Sequence, residues 1–235
     1  MTRKLQVYHI LACSYARQMF SILRARLSRR YCIIRGLLFD VRYGTDTIKT
    51  REIANLDIAE NARRSARKYR ASKIALFHHV LRNLPASCRE FTFVDVGCGK
   101  GLCLMLGAKY GFRHLIGIEI SPELTAIAER NIARFRKRVK TTSTFELHCM
   151  DARQYPIPHG KAIYYFYNPF TREVMTAVLT NIRRSLAKSP REIIIIYVVP
   201  SAADAFDEAD FLSMEKAGES CGDHFRIYSN SAAGK

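Results

Sequence analysis

The sequence predicts an α/β domain: a mainly parallel sheet with helices on both faces. Three observations predict it. Short apolar runs at 91–96, 114–120, 144–150, 162–167 and 191–199 alternate with longer stretches of helical periodicity. The run Ile193–Ile196 is apolar at every position, as expected of a strand covered on both sides. Glycine or polar punctuation follows these runs, at the edge where open α/β sheets bind ligands.

The elements follow in chain order. The first 39 residues carry eight basic residues and no acidic one. Apolar residues recur there every three to four positions, which reads as a basic helical extension over 1–39. Such a helix can pack on the domain through Tyr8, Leu11, Tyr15, Met19 and Ile22. It can also contact phosphates, lie on an anionic membrane or act as a targeting segment. Residues 40–90 read as a polar loop at 40–48 followed by helices over 49–68 and 72–84. Ser72 is the expected N-cap of the second helix and Pro85 its stop.

The core domain is expected over 91–235. The strand at 91–96 leads through glycines into a helix ending near Tyr110. After the strand at 114–120, Ser121, Pro122 and Glu123 supply the N-cap, first-turn proline and first-turn acid of a helix to Arg138. Strands at 144–150 and 162–167 precede a helix over Arg172–Lys188 and the strand at 191–199. Beyond Val199 only Phe225–Ser229 reads as strand, and Ala203–Lys216 reads as a short helix. A sheet of six strands, truncated at its C-terminal edge, is therefore expected.

Composition narrows the classes. Hydrophobic residues are 48% and charged residues 25% of the 235, which is globular usage. No apolar run reaches the length of a membrane span. Seven cysteines without a C-x-x-C pair fit reduced thiols in a cytoplasmic protein, not a zinc ribbon or a disulfide scaffold, and no metal site is expected. The net charge of +17 points to a polyanionic partner.

The chemistry is concentrated in Val94-Asp95-Val96-Gly97-Cys98-Gly99-Lys100-Gly101. An apolar strand ends in an acid, and three alternate glycines let a ligand approach the backbone beside a helix N-terminus. The spacing is neither the dinucleotide fingerprint nor a P-loop, because Gly101 follows Lys100. Glu119 ends the next strand some 20 residues on, where a carboxylate accepts ribose hydroxyls. Asp151-Ala152 and Asn168-Pro169-Phe170 follow the third and fourth strands.

This ordered set resembles the class I S-adenosylmethionine-dependent methyltransferases over residues 91–199. Tyr-Gly-Thr-Asp-Thr at 43–47 and Tyr-Arg-Ala-Ser at 69–72 resemble a small bacterial subgroup, more loosely. The resemblance implies a Rossmann-like methyltransferase fold with S-adenosyl-L-methionine as cofactor. It implies that Gly97, Gly99 and Gly101 form the cofactor loop, that Asp95 holds the methionine end, that Glu119 binds the ribose and that Asp151-Ala152 meets the adenine edge. Tyr43, Thr45, Asp46 and Thr47 are expected in a loop closing over the cofactor. The Asn168-Pro169-Phe170 loop resembles the acceptor loop of amine methylases, without their second proline. Asn168 would accept hydrogen bonds from a target nitrogen and Phe170 would stack on it. The expected reaction is methyl transfer to a nitrogen of a macromolecular acceptor, protein or RNA. The alternative is a non-catalytic module of the same fold, held on RNA or an anionic membrane by residues 1–39. The intact acid and glycines favour catalysis.

Overall fold

The computed structural model describes residues 19, 27–28, 30–50 and 70–230. Residues 30–43 form a helix, α1. There follow α2 (Ile74–Leu81), β1 (Thr92–Val96), α3 (Leu102–Tyr110), β2 (His114–Glu119), α4 (Pro122–Arg138), β3 (Thr144–Cys149) and β4 (Ala162–Tyr167). The chain continues through α5 (Arg172–Lys188), β5 (Ile193–Val198), α6 (Asp204–Asp207), β6 (Ser213–Ser220) and β7 (Asp223–Ser229). The helix expected over 49–68 lies mostly outside the described residues, as do Tyr8, Leu11, Tyr15 and Ile22 of the N-terminal stretch. Met19, expected on a packed face, is 67% exposed.

The seven strands run in the order β3-β2-β1-β4-β5-β7-β6. β1 pairs in parallel with both β2 and β4, and β2–β3 and β4–β5 are parallel. β7 lies antiparallel between β5 and β6. The chain winds outward from β1 to β3 and then returns to β4, so the direction of winding reverses between β1 and β4. Open α/β sheets bind ligands at such a reversal, outside the carboxyl ends of the strands.

Alternation of side chains along each strand builds two cores. Phe93, Ile163, Tyr165, Ile194 and Ile196 face α1–α4, with Phe39, Phe77, Leu104 and Phe135 among the packed residues. Val94, Val96, Tyr164, Phe166 and Ile195 face α5 and α6, including Val178, Ile182 and Phe206. The helix signals of α4 act as read: Ser121 Oγ accepts the Leu124 N–H, Pro122 opens the first turn, and Arg136, Lys137 and Arg138 stand at the negative end.

Two expectations are corrected. The sheet is complete, with seven strands rather than a truncated six. Only Asp204–Asp207 of the expected helix over Ala203–Lys216 is helical, and Ser213–Ser220 is an edge strand. Its sequence is polar because it has one neighbour and mostly faces solvent. Glu and Lys on such an edge discourage pairing with another chain. Its turn into β7 places Cys221 and Gly222 at φ 55° and 73°, the two left-handed positions of a tight hairpin. The second correction is Ser72. The α2 N-cap is Lys73, without a side-chain hydrogen bond, and the buried Ser72 hydroxyl instead accepts from the Tyr165 hydroxyl.

Candidate active site

The glycine loop joins the end of β1 to the start of α3. Gly97, Gly99 and Gly101 have φ of 83°, 52° and 80°, the left-handed region that side chains with a Cβ rarely adopt. The Gly97 and Cys98 N–H groups donate to the Ile118 carbonyl at 2.8 and 2.9 Å, which fixes the loop to β2. A Cβ on Gly97 would stand 2.7 Å from Pro169 Cβ. The glycine motif and the Asn-Pro-Phe motif, 72 positions apart, are thus in van der Waals contact where the winding reverses.

Glu119 closes the other side. Its Oε2 accepts the Gly99 N–H at 2.9 Å and its Oε1 the Ser121 N–H at 3.0 Å. The carboxyl is buried, and burial raises its pKa against the lowering effect of those hydrogen bonds. Asp95 is 4% exposed and makes no hydrogen bond to the described residues. Burial, and then the nearby Glu119 charge, push its pKa up to about 8. A buried carboxyl of this kind is stabilised in its ionised form by a cation placed beside it. Two such carboxyls under a glycine cradle fit a ligand that carries positive charge and hydroxyls. S-adenosylmethionine has a sulfonium, an ammonium and a ribose diol, so the residues present suit it.

The remaining expected residues are placed differently from one another. Asp151 follows β3 and caps the short 3-10 turn Ala152–Gln154, and its carboxylate is held by the Arg153 guanidinium, which lowers its pKa. The Met150 N–H donates to the Glu119 carbonyl at 2.9 Å, so Asp151 sits at the same sheet edge. Ala152 is buried against the second core. Asn168 has φ 44°, its N–H donates to the Val198 carbonyl at 3.0 Å, and its Oδ1 accepts the Ser201 hydroxyl at 2.6 Å.

Residues 40–49 dock beside the glycine loop, with Thr45, Asp46 and Thr47 held by contacts to Asp40, Lys100 and Asn131; the sequence reading did not single out Asp40 and Asn131. Asp40 accepts the Thr45 hydroxyl at 2.6 Å, the Thr47 hydroxyl at 2.8 Å and the Thr47 and Ile48 N–H groups. Asp46 pairs with the buried Lys100, which also donates to the Lys49 carbonyl at 2.8 Å. Asn131 on α4 joins both sides, donating to the Asp46 and Lys100 carbonyls. Tyr43, also expected in the loop closing over the cofactor, is placed differently from Thr45, Asp46 and Thr47. It is buried against Phe39 and Phe135 at ring separations of 4.6 and 5.1 Å, and its hydroxyl accepts from Lys109 at 2.9 Å. An aromatic ring at that helix position gains more by joining the core.

A second cluster was also missed. The run Tyr164–Phe166 is core, as its strand pattern implies, but Tyr167 is half-buried. Its hydroxyl donates to Asp223 at 2.7 Å. Lys73 pairs with the same carboxylate at 3.0 Å, and the Arg70 guanidinium lies over the Tyr167 ring at 5.2 Å. These residues adjoin Asn168. No local pattern could have joined residues 70–73, 167 and 223.

Comparison with known proteins adds the family. Residues 93–189 match the family model described as methyltransferase domain. Among curated proteins nothing matches. Solved structures with similarity include a ribosomal protein L11 methylase from Lactobacillus delbrueckii subsp. bulgaricus, at 15% identity and TM-score 0.47 over 66% of this chain and 76% of that one. Magnesium protoporphyrin IX methyltransferase from Synechocystis PCC 6803, with bound SAM, gives 16% and 0.46 over 67% and 76%. The PH0226 protein from Pyrococcus horikoshii OT3 gives 17% and 0.48 over 66% and 88%. The family match spans the glycine loop, Glu119 and the Asn-Pro-Phe loop, so the segment that carries the candidate site, residues 93–189, is the one that matches a methyltransferase domain.

Proposed function

We propose that this enzyme methylates a nitrogen of a macromolecular acceptor, protein or RNA. The observation that carries the reading is the seating of Asn168-Pro169-Phe170 on Gly97. That contact is made by Pro169 and the Phe170 ring, and Asn168 precedes them in the chain. Ser201 orients the Asn168 amide, and an amide oxygen retains a second lone pair for an acceptor N–H. The net charge of +17 and the short connections between core strands favour a large anionic or anion-bearing acceptor over an enclosed small molecule.

The cofactor residues divide the work. Gly97, Gly99 and Gly101 provide the cradle, Glu119 the ribose acceptor, Asp151-Ala152 the adenine edge, and Asp95 a carboxylate for the ammonium end. S-adenosylmethionine, when bound, supplies a methyl on a sulfonium for in-line displacement by the acceptor lone pair. The protein then acts by holding the acceptor in line and excluding water, effects worth about 7–11 kcal/mol in well-oriented systems. Tyr167, Asp223 and Lys73 form a satisfied polar wall beside Asn168 that can meet a polar acceptor.

The test is transfer of labelled methyl from S-adenosylmethionine into cell extract, followed by separate nuclease and protease digestion. Label released by one digestion and stable to mild base supports the reading. Label in a small molecule, or base-labile methyl ester, overturns it.

A further inference from the structure

Helix α1 presents two opposite faces. Cys32, Gly36, Phe39 and Tyr43 are buried and dock it on the domain, with Gly36 close against the Ile48 side chain. On the other side Tyr31, Ile34, Leu38 and Val41 recur at spacings of three and four, a continuous stripe along the helix. All four are exposed, Ile34 by 54%, Leu38 by 61% and Val41 by 79%. A contiguous exposed apolar surface of this kind marks an interaction site.

The charges around the stripe select its partner. At 100° per residue Arg35 and Arg42 lie along one margin and Arg30 toward the other. No acidic residue precedes Asp40, and the Asp40 carboxylate is turned inward onto Thr45 and Thr47. Two copies meeting through this stripe would bring arginines together with no carboxylate between them. RNA would find phosphate contacts on the margins, but nothing for four large apolar side chains. An anionic bilayer surface satisfies both: the apolar stripe enters the acyl boundary while arginines at its margins reach the headgroups. Among the described residues no helix is long and apolar enough to cross a membrane, which agrees with a helix lying in the interface.

We infer that the outward face of α1 is a docking surface for anionic lipid bilayers, holding the methyltransferase domain at a membrane surface. The inference is independent of the acceptor assigned above. Because α1 is tied through Asp40 to the loop whose Asp46 grips Lys100, the glycine loop would be held in a fixed relation to the bilayer.

Flotation of the full-length protein with vesicles tests it. One set is phosphatidylcholine alone; the other contains about 30% phosphatidylglycerol. The expected result is flotation with the anionic vesicles only, weakened by salt. Arg35→Gln should reduce partitioning about fivefold. The pair Ile34→Ser and Leu38→Ser should reduce it at least about tenfold. Both substitutions are at exposed positions, so melting temperature and cofactor affinity should stay at wild-type values. A wild-type protein that remains with the unbound fraction, or floats equally with neutral vesicles, overturns the inference. So does a concentration-dependent dimer that Ile34→Ser and Leu38→Ser dissociate, or RNA binding lost in Arg35→Gln with vesicle binding unchanged.

Discussion

Lys100 and Asp46 form an ion pair that couples the glycine loop to the segment preceding the core, with Nζ 3.0 Å from Oδ1. The two partners differ in environment: the lysine side chain is fully buried, whereas the aspartate is 42% exposed. Removing one is therefore not equivalent to removing the other. Asp46→Ala removes the carboxylate beside a buried ammonium, which keeps its hydrogen bond to the Lys49 carbonyl, and should cost about 1–3 kcal/mol. Lys100→Met leaves a carboxylate that water can solvate, and should cost less. Chemical denaturation of both variants checks the order, and a larger loss for Lys100→Met contradicts it.

Gly97→Ala should damage both stability and cofactor binding. The left-handed conformation costs a residue with a Cβ about 1–2 kcal/mol. The new methyl would also meet Pro169 Cβ at 2.7 Å, pressing the Asn-Pro-Phe loop outward. Gly222→Ala is the matched control, since it has φ 73° and nothing within 4 Å. It should show the conformational cost alone. Cofactor affinity by calorimetry should fall at least about tenfold in the first, a further penalty of order 1.4 kcal/mol, and stay unchanged in the second.

Asp95 gives a pH dependence with a defined sign. Its pKa is raised by burial from 3.8 to about 8, so the folded protein binds a proton that the unfolded chain has released. Its contribution to stability is fully present below pH 3.8 and is lost as pH rises to about 8. Asp95→Asn, which remains neutral, should therefore gain stability relative to wild type as pH rises through that window. Binding of a cationic cofactor at pH 7 should release a proton from the wild type. Calorimetry in buffers of different ionisation enthalpy would detect it, and the signal should disappear in Asp95→Asn.

Glu119→Ala should weaken cofactor binding by about 1.5–3 kcal/mol for each charged hydrogen bond lost. It should also loosen the loop, because the Gly99 and Ser121 N–H groups lose their acceptor. Glu119→Gln keeps one carbonyl oxygen and should recover part of both effects. Titration calorimetry and thermal melting separate them; equal affinity in all three proteins would remove Glu119 from the ribose position.

Much of the fold was legible because its signals are local. Ser121, Pro122 and Glu123 mark the start of α4, and α4 and α5 have the expected bounds. The strands β1 to β5 agree to within two residues: β2, β4 and β5 are mostly buried and read as apolar runs, and the edge strand β3 still alternates Phe145 and Leu147 with polar residues. β6 was illegible for the converse reason. An edge strand needs only one partner, and Glu215, Lys216 and Gly218 resemble a polar helix or loop until β7 is beside them. Gly218 is where the Phe225 ring lies across the strand, a requirement that exists only after pairing.

The sequence by itself determined the strand and helix order from β1 to β5, the glycine loop and the acids at the ends of β1, β2 and β3, because each depends on neighbours in the chain. Only the tertiary structure decided that Pro169 rests on Gly97 and that Asp95 lies buried with a raised pKa. It also decided that Lys100 turns to Asp46, that Tyr167 meets Asp223 across 56 positions, and that α1 shows an apolar stripe to solvent. These outcomes depend on burial and on distances between segments remote in sequence. A carboxyl or an ammonium has the same letter whether it is solvated or not, and its chemistry is set by what the fold packs around it.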